Sequence, residues 1–83
     1  MESDIEKKVF KDFKEGLTAL TYLNEFEVKN DFSARVTRCI VFRSKGDLES
    51  LKLNIKIAEL DWRDIIYYAE EFDFQFNDPF SED

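Results

Sequence analysis

Apolar positions open the chain at a helical period. Ile5, Val9, Phe13, Leu17 and Leu20 follow one another at spacings of four, four, four and three, with Lys7, Lys8, Lys11, Asp12 and Lys14 on the other face. Side chains three and four apart stack on one side of an α-helix, so this pattern predicts an amphipathic helix starting near Ser3 or Asp4, both good N-cap residues. Gly16 interrupts it, either as a tolerated defect or as the residue that ends a first helix. In the second case Thr18 caps a short second helix carrying Leu20, Leu23 and Phe26. The polar run 24–31 then forms a connection, with Asn30 or Asp31 as the next cap.

Residues 32–60 support two readings. Arg35 to Arg43 is rich in β-branched residues, and Leu51, Leu53, Ile55 and Ile57 alternate with Lys52, Asn54 and Lys56. With Ser44-Lys45-Gly46-Asp47 between them, these segments fit a β-hairpin. The helical reading uses the same residues as stripes: Phe32, Val36, Cys39 and Ile40, then Leu48, Leu51, Ile55 and Ala58. Gly46 then ends one helix and Asp47 caps the next, while Leu53, Ile57 and Leu60 on its second side need neighbours to cover them.

Residues 61–72 read as a helix capped by Asp61, with Ile65, Tyr68, Ala69 and Phe72 on one face and Trp62 and Ile66 one step around. Tyr67 and Tyr68 are consecutive and diverge by about 100° on a helix, so one of them is exposed, and the period makes it Tyr67. The punctuation at Gly46–Asp47 and at Asp61 favours the all-α reading. The expected fold is a small bundle of four to five short helices over residues 1–72, followed by an acidic, Phe-rich arm over 73–83. The alternative is α+β, a helix, a hairpin or meander, and a helix.

Charge adds an asymmetry to this picture. The net charge is −7, yet the last of the twelve bases is Arg63. Residues 64–83 hold Asp64, Glu70, Glu71, Asp73, Asp78, Glu82 and Asp83, so the preceding residues are neutral as a group. Within them, 32–58 is basic, with Arg35, Arg38, Arg43, Lys45, Lys52 and Lys56 against Asp47 and Glu49. An acidic end of this kind solubilises a Phe-rich segment, folds back over Arg35, Arg38 and Arg43, or steers a basic partner.

Composition narrows the chemistry. With no His, triads and His metal sites are excluded, and the single Cys39 permits neither an intramolecular disulfide nor a multi-Cys zinc site. Cys39 lies in the most apolar run of the chain, where a buried small hydrophobe is expected. Two glycines build no phosphate-cradling loop. Glu70, Glu71 and Asp73 supply carboxylates for acid–base work or, with Asn77 and Asp78, oxygen ligands for a cation, but without Ca²⁺-loop spacing. No cofactor and no metal are expected. A pI near 4.6 argues against direct nucleic-acid binding. No apolar run approaches the roughly 20 residues of a membrane span, and the charged first residues resemble no signal peptide, so a cytoplasmic protein is expected.

Trp, Tyr and Arg dominate binding hot spots, which draws attention to Asp61-Trp62-Arg63-Asp64 with Tyr67 and Tyr68. The pentad Asp64-Ile65-Ile66-Tyr67-Tyr68 resembles the D-L-I-Y-Y segment of the colicin DNase immunity proteins, small acidic four-helix inhibitors that hold a basic nuclease through that short helix. The likeness covers these five positions and lacks the proline that follows the tyrosines there. The expectation is a non-enzymatic protein-interaction domain with Trp62, Tyr67, Phe74 and Phe76 as anchors and Glu70 and Glu71 for steering, its partner bearing a basic surface. An inhibitor of a basic nuclease or nucleic-acid-binding site is the sharper alternative, and a carboxylate-based metal protein or enzyme a more distant one. Nine Phe residues also leave a homodimer open.

Overall fold

The computed structural model describes residues 2–31 and 33–73, the last three in their backbone alone. Helix α1 spans Ser3–Asp12, α2 Gly16–Asn30, α3 Ala34–Ser44 and α4 Leu48–Ile66, and a π-helical segment, Tyr67–Asp73, continues from α4. The all-α expectation holds, and no strand occurs among the described residues. The acidic arm lies outside them, apart from the backbone of Asp73.

α1 follows the predicted stripe, burying Ile5 and Val9, with Asp4 and Glu6 in its first turn where the helix dipole favours acids. It stops at Asp12 because Phe13 turns extended (φ −102°, ψ 127°) to carry its ring into the core. The break resets the helical phase. Leu17, expected on the buried stripe, therefore points outward, and Ala19, Leu20, Leu23 and Phe26 face in. Gly16 opens α2 instead of ending α1, and Thr18 caps nothing. The polar run 24–31 is not a connection either. α2 continues to Asn30 and ends at Asp31 in the left-handed conformation (φ 49°). Phe26 is buried in that stretch, and Thr37 Oγ1 donates to Glu27 Oε2 at 2.9 Å, so packing against α3 extends the helix.

α3 and α4 form the central antiparallel pair. Lys45 (φ 50°) and Gly46 (φ 79°) link them, and Asp47 caps α4 by accepting from Ser50 N at 3.0 Å. Two consecutive residues of positive φ are also what a tight β-hairpin turn requires, which explains why the hairpin reading fitted this sequence. The helical register is fixed by a buried polar pair. Asn54 Nδ2 donates to Ser44 Oγ at 3.1 Å, and Ser44 Oγ donates to the Ile40 carbonyl at 2.7 Å. In a strand, Asn54 would share a face with Lys52 and Lys56. On the helix it joins buried Leu51 and Ala58. The second stripe stays uncovered: Leu53 and Leu60 are exposed and Ile57 is half-buried.

Val36, Cys39, Ile40 and Val41 of α3 meet Leu51 and Ala58 of α4, and Ile5, Val9, Leu23 and Phe26 complete the core. Each Val, Leu, Ile and Phe side chain among them contributes roughly 1.5–3 kcal/mol by leaving water. Around this core, Arg38 Nε donates to Asp4 Oδ2 at 2.8 Å and its Nη2 to Glu2 Oε2 at 2.6 Å, tying α1 to α3. Asn30 Nδ2 donates to Glu59 Oε2 at 3.0 Å, tying α2 to α4. Among the described residues no buried side-chain nitrogen or oxygen lacks a partner.

Candidate protein-binding surface

Asp61 sets the position of the surface that the sequence singled out. Its backbone is extended (φ −157°, ψ 96°) and breaks α4 into two limbs. Its side chain caps the second limb, accepting from Arg63 N at 3.1 Å and from Arg63 Nε at 3.2 Å, and these bonds hold its carboxyl below the ordinary value. Ile65 and Ala69 then seat that limb on the core, both fully buried.

The seating leaves the aromatics outside. Trp62 is 41% exposed, Tyr67 54% and Tyr68 45%. Tyr68 departs from the sequence reading, which put it beside Ile65. The turn from Tyr67 onward is π-helical, so each residue advances through a smaller angle than in an α-helix, and position i+3 falls short of the buried face while i+4 reaches it. The Tyr67 and Tyr68 rings meet edge to face, 5.7 Å between centroids. The Arg43 guanidinium lies 5.3 Å from the Tyr68 ring centroid, a cation–π contact.

Glu70 is not a loose carboxylate. Arg35 of α3 donates to it twice, Nε to Oε2 at 2.6 Å and Nη2 to Oε1 at 2.5 Å. This two-pronged bond lowers the Glu70 pKa and raises that of Arg35. Behind the pair, the Cys39 thiol donates to Glu70 Oε2 at 3.8 Å. Burial, and next the Glu70 charge, push the thiol up to about 12, so it stays protonated at neutral pH. Of the acids after Arg63, Glu70 thus pairs with Arg35, while Arg43 meets the Tyr68 ring. Arg38 is occupied by the N-terminal acids instead.

Arg35, Trp62, Arg63, Ile66, Tyr67 and Glu70 line a depression of about 250 Å³, roughly the size of one large side chain. Three of the six residues singled out from sequence, Trp62, Tyr67 and Glu70, therefore meet in one place. Glu71 is described in its backbone only, and Phe74 and Phe76 lie outside the described residues. Comparison with family models, with curated proteins and with solved structures returned no match. Sequence reasoning drew attention to Arg63 but missed Ile66 and Arg35 as walls of the site. Arg35 lies 35 positions from Glu70, so no local spacing signals their meeting. Among the described residues, no three His, Cys, Asp or Glu side chains converge as metal ligands, and no helix is long and apolar enough to cross a membrane.

Proposed function

We propose that this protein is a small, non-enzymatic interaction domain of the cytoplasm that docks a protein partner on the limb from Trp62 to Glu70. The observation that carries the reading is the exposure of Trp62, Tyr67 and Tyr68 on one short limb, the first two lining a depression of side-chain size. Rigid aromatics beside Arg supply large contact area at low entropic cost, the composition of a hot spot. The net charge of −7 steers a partner with a basic surface and raises the association rate more than the affinity. Glu70 has a positioning part in this proposal, holding Arg35 in the wall, while Asp64 and the acids after it carry the field.

The test is affinity capture with the wild-type chain and with the Trp62→Ala/Tyr67→Ala double variant, at low and moderate salt. A partner retained by the wild type and lost by a folded variant supports the proposal. A partner held equally by both sinks it. The side-by-side exposed tyrosines favour the inhibitor reading as its sharper form. In that form, the protein displaces DNA or RNA from the captured partner.

A further inference from the structure

The fold brings lysines from two separate elements together at the C-terminal end of α1. Lys8 and Lys11 are i, i+3 neighbours on α1, and Lys45 comes from the turn between α3 and α4. With Asp12 and Phe42 they line an open depression of about 450 Å³. Lys8 Nζ pairs with Asp12 Oδ2 at 2.9 Å, and Lys45 Nζ sits 4.9 Å from the centroid of the Phe42 ring. Among the described residues, Lys11 and Lys45 pair with no carboxylate. One acid against three bases leaves the depression positive in a chain of net charge −7.

The backbone holds this arrangement at a cost. Lys45 adopts φ 50°, a conformation that glycine or asparagine takes far more readily. Gly46 beside it (φ 79°) packs so closely on the Asp12 carbonyl that a β-carbon there would collide with it. The turn is therefore clamped to the end of α1, and the root of Lys45 is fixed relative to Lys8 and Lys11. Asp31 ends α2 in the same conformation, but lysine lacks the short polar side chain that eases it, so glycine or asparagine would end α3 with less strain. The lysine there accepts local strain and delivers an ammonium to the depression.

We infer that this depression, between the end of α1 and the α3–α4 turn, binds a small phosphate-bearing anion through Lys8, Lys11 and Lys45. Each ammonium offers several donors without fixed direction, which suits an oxyanion with several acceptor atoms. The surrounding negative charge disfavours a long polyanion. A small anion is governed by the local charge, because at physiological ionic strength fields are screened within about 8 Å. The site is separate from the Trp62 limb and does not depend on the function proposed for it.

The test is a two-dimensional NMR titration of the full chain with inorganic phosphate at constant ionic strength, sodium chloride making up the difference. A second arm uses ribose 5-phosphate, separating recognition of the free anion from that of a phosphate ester. The expected result is saturable shifts at Lys8, Lys11, Phe42 and Lys45, with a Kd on the order of 1 mM. Lys11→Gln weakens binding about tenfold. Lys45→Gly weakens it similarly while the melting temperature holds or rises, because the left-handed strain is relieved. Shifts that stay linear and are matched by chloride overturn the inference, as does binding unchanged in both variants. A lower melting temperature in Lys45→Gly with binding intact also overturns it, since Lys45 would then be structural.

Discussion

Arg35 and Glu70 are joined by two parallel hydrogen bonds, from Nε at 2.6 Å and from Nη2 at 2.5 Å, across the seam between α3 and the π-helical segment. That pair ties the π-helical segment to α3 and forms one side of the aromatic depression. Its partly exposed setting limits its energetic weight to roughly 0.2–1 kcal/mol. Glu70→Gln is expected to lower stability by that small amount. It also removes the second-largest cause of the Cys39 shift, so the thiol pKa falls from about 12. The pH profile of thiol alkylation, with circular dichroism to confirm folding, checks both parts.

The two glycines should respond differently to alanine. At Gly46 both φ 79° and the Asp12 carbonyl forbid a side chain, so Gly46→Ala is expected to cost about 1–3 kcal/mol. At Gly16 the added carbon meets the Phe10 ring at 2.6 Å, and that ring is exposed and can swing away. Gly16 is the first residue of α2, where alanine gains only part of its interior helix preference, and that small gain offsets the shift, so Gly16→Ala is close to neutral. Urea denaturation of the two variants makes the comparison.

Stability and docking should separate between the core and the limb. Leu51→Ala opens a cavity at a fully buried position of α4 and is expected to cost about 2–5 kcal/mol. Tyr67→Ala is expected to stay within about 1 kcal/mol of the parent while losing the captured partner. Thermal melts alongside capture distinguish them. Equal destabilisation by the two would place Tyr67 in the core rather than on a docking face.

Acid should unfold the protein from a defined point. Hydrogen bonds from Arg38 to Asp4, from Asn30 to Glu59 and from Arg35 to Glu70 hold these carboxyls below their ordinary values. The unfolded chain then binds more protons than the folded one in the acid range. The associated stability is complete above the ordinary Glu value of 4.5 and is lost as pH falls through the lowered ones. Cys39 works in the other direction. Its unfolded thiol ionises near 9.0 and its folded thiol near 12, so stability falls across that interval. With no His in the chain, stability should be nearly flat between about pH 6 and 8. Denaturant midpoints against pH follow all three regimes.

The helices were legible where residues announce their ends. Asp47 and Asp61 both cap as their spacing implied. α2 runs beyond its predicted end because 24–31 is polar on one side only, and nothing local to Phe26 or to Glu27, which accepts from Thr37 across the interface, signals that a neighbour covers the other side. The hairpin alternative in 32–60 arose because α4 carries apolar residues on two faces, and only Asn54 meeting Ser44 selects the buried one. In the candidate surface, the exposure of Tyr67 could be read from period alone. That of Tyr68 could not, since the change from α to π geometry has no residue signature here. Arg35 belongs to the site through a tertiary contact, which no spacing encodes.

Asp61 has a further consequence for how this sequence can change. In an uninterrupted helix, inserting one residue swings everything downstream by about 100°. The extended residue within α4 acts as a swivel joint that absorbs such a slip. The bearing of Trp62 and Tyr67 is dictated by the Asp61 cap and by the seats of Ile65 and Ala69, not by the tally of residues from Asp47. The bundle and its aromatic tip can diverge at different rates without dragging one another around the axis.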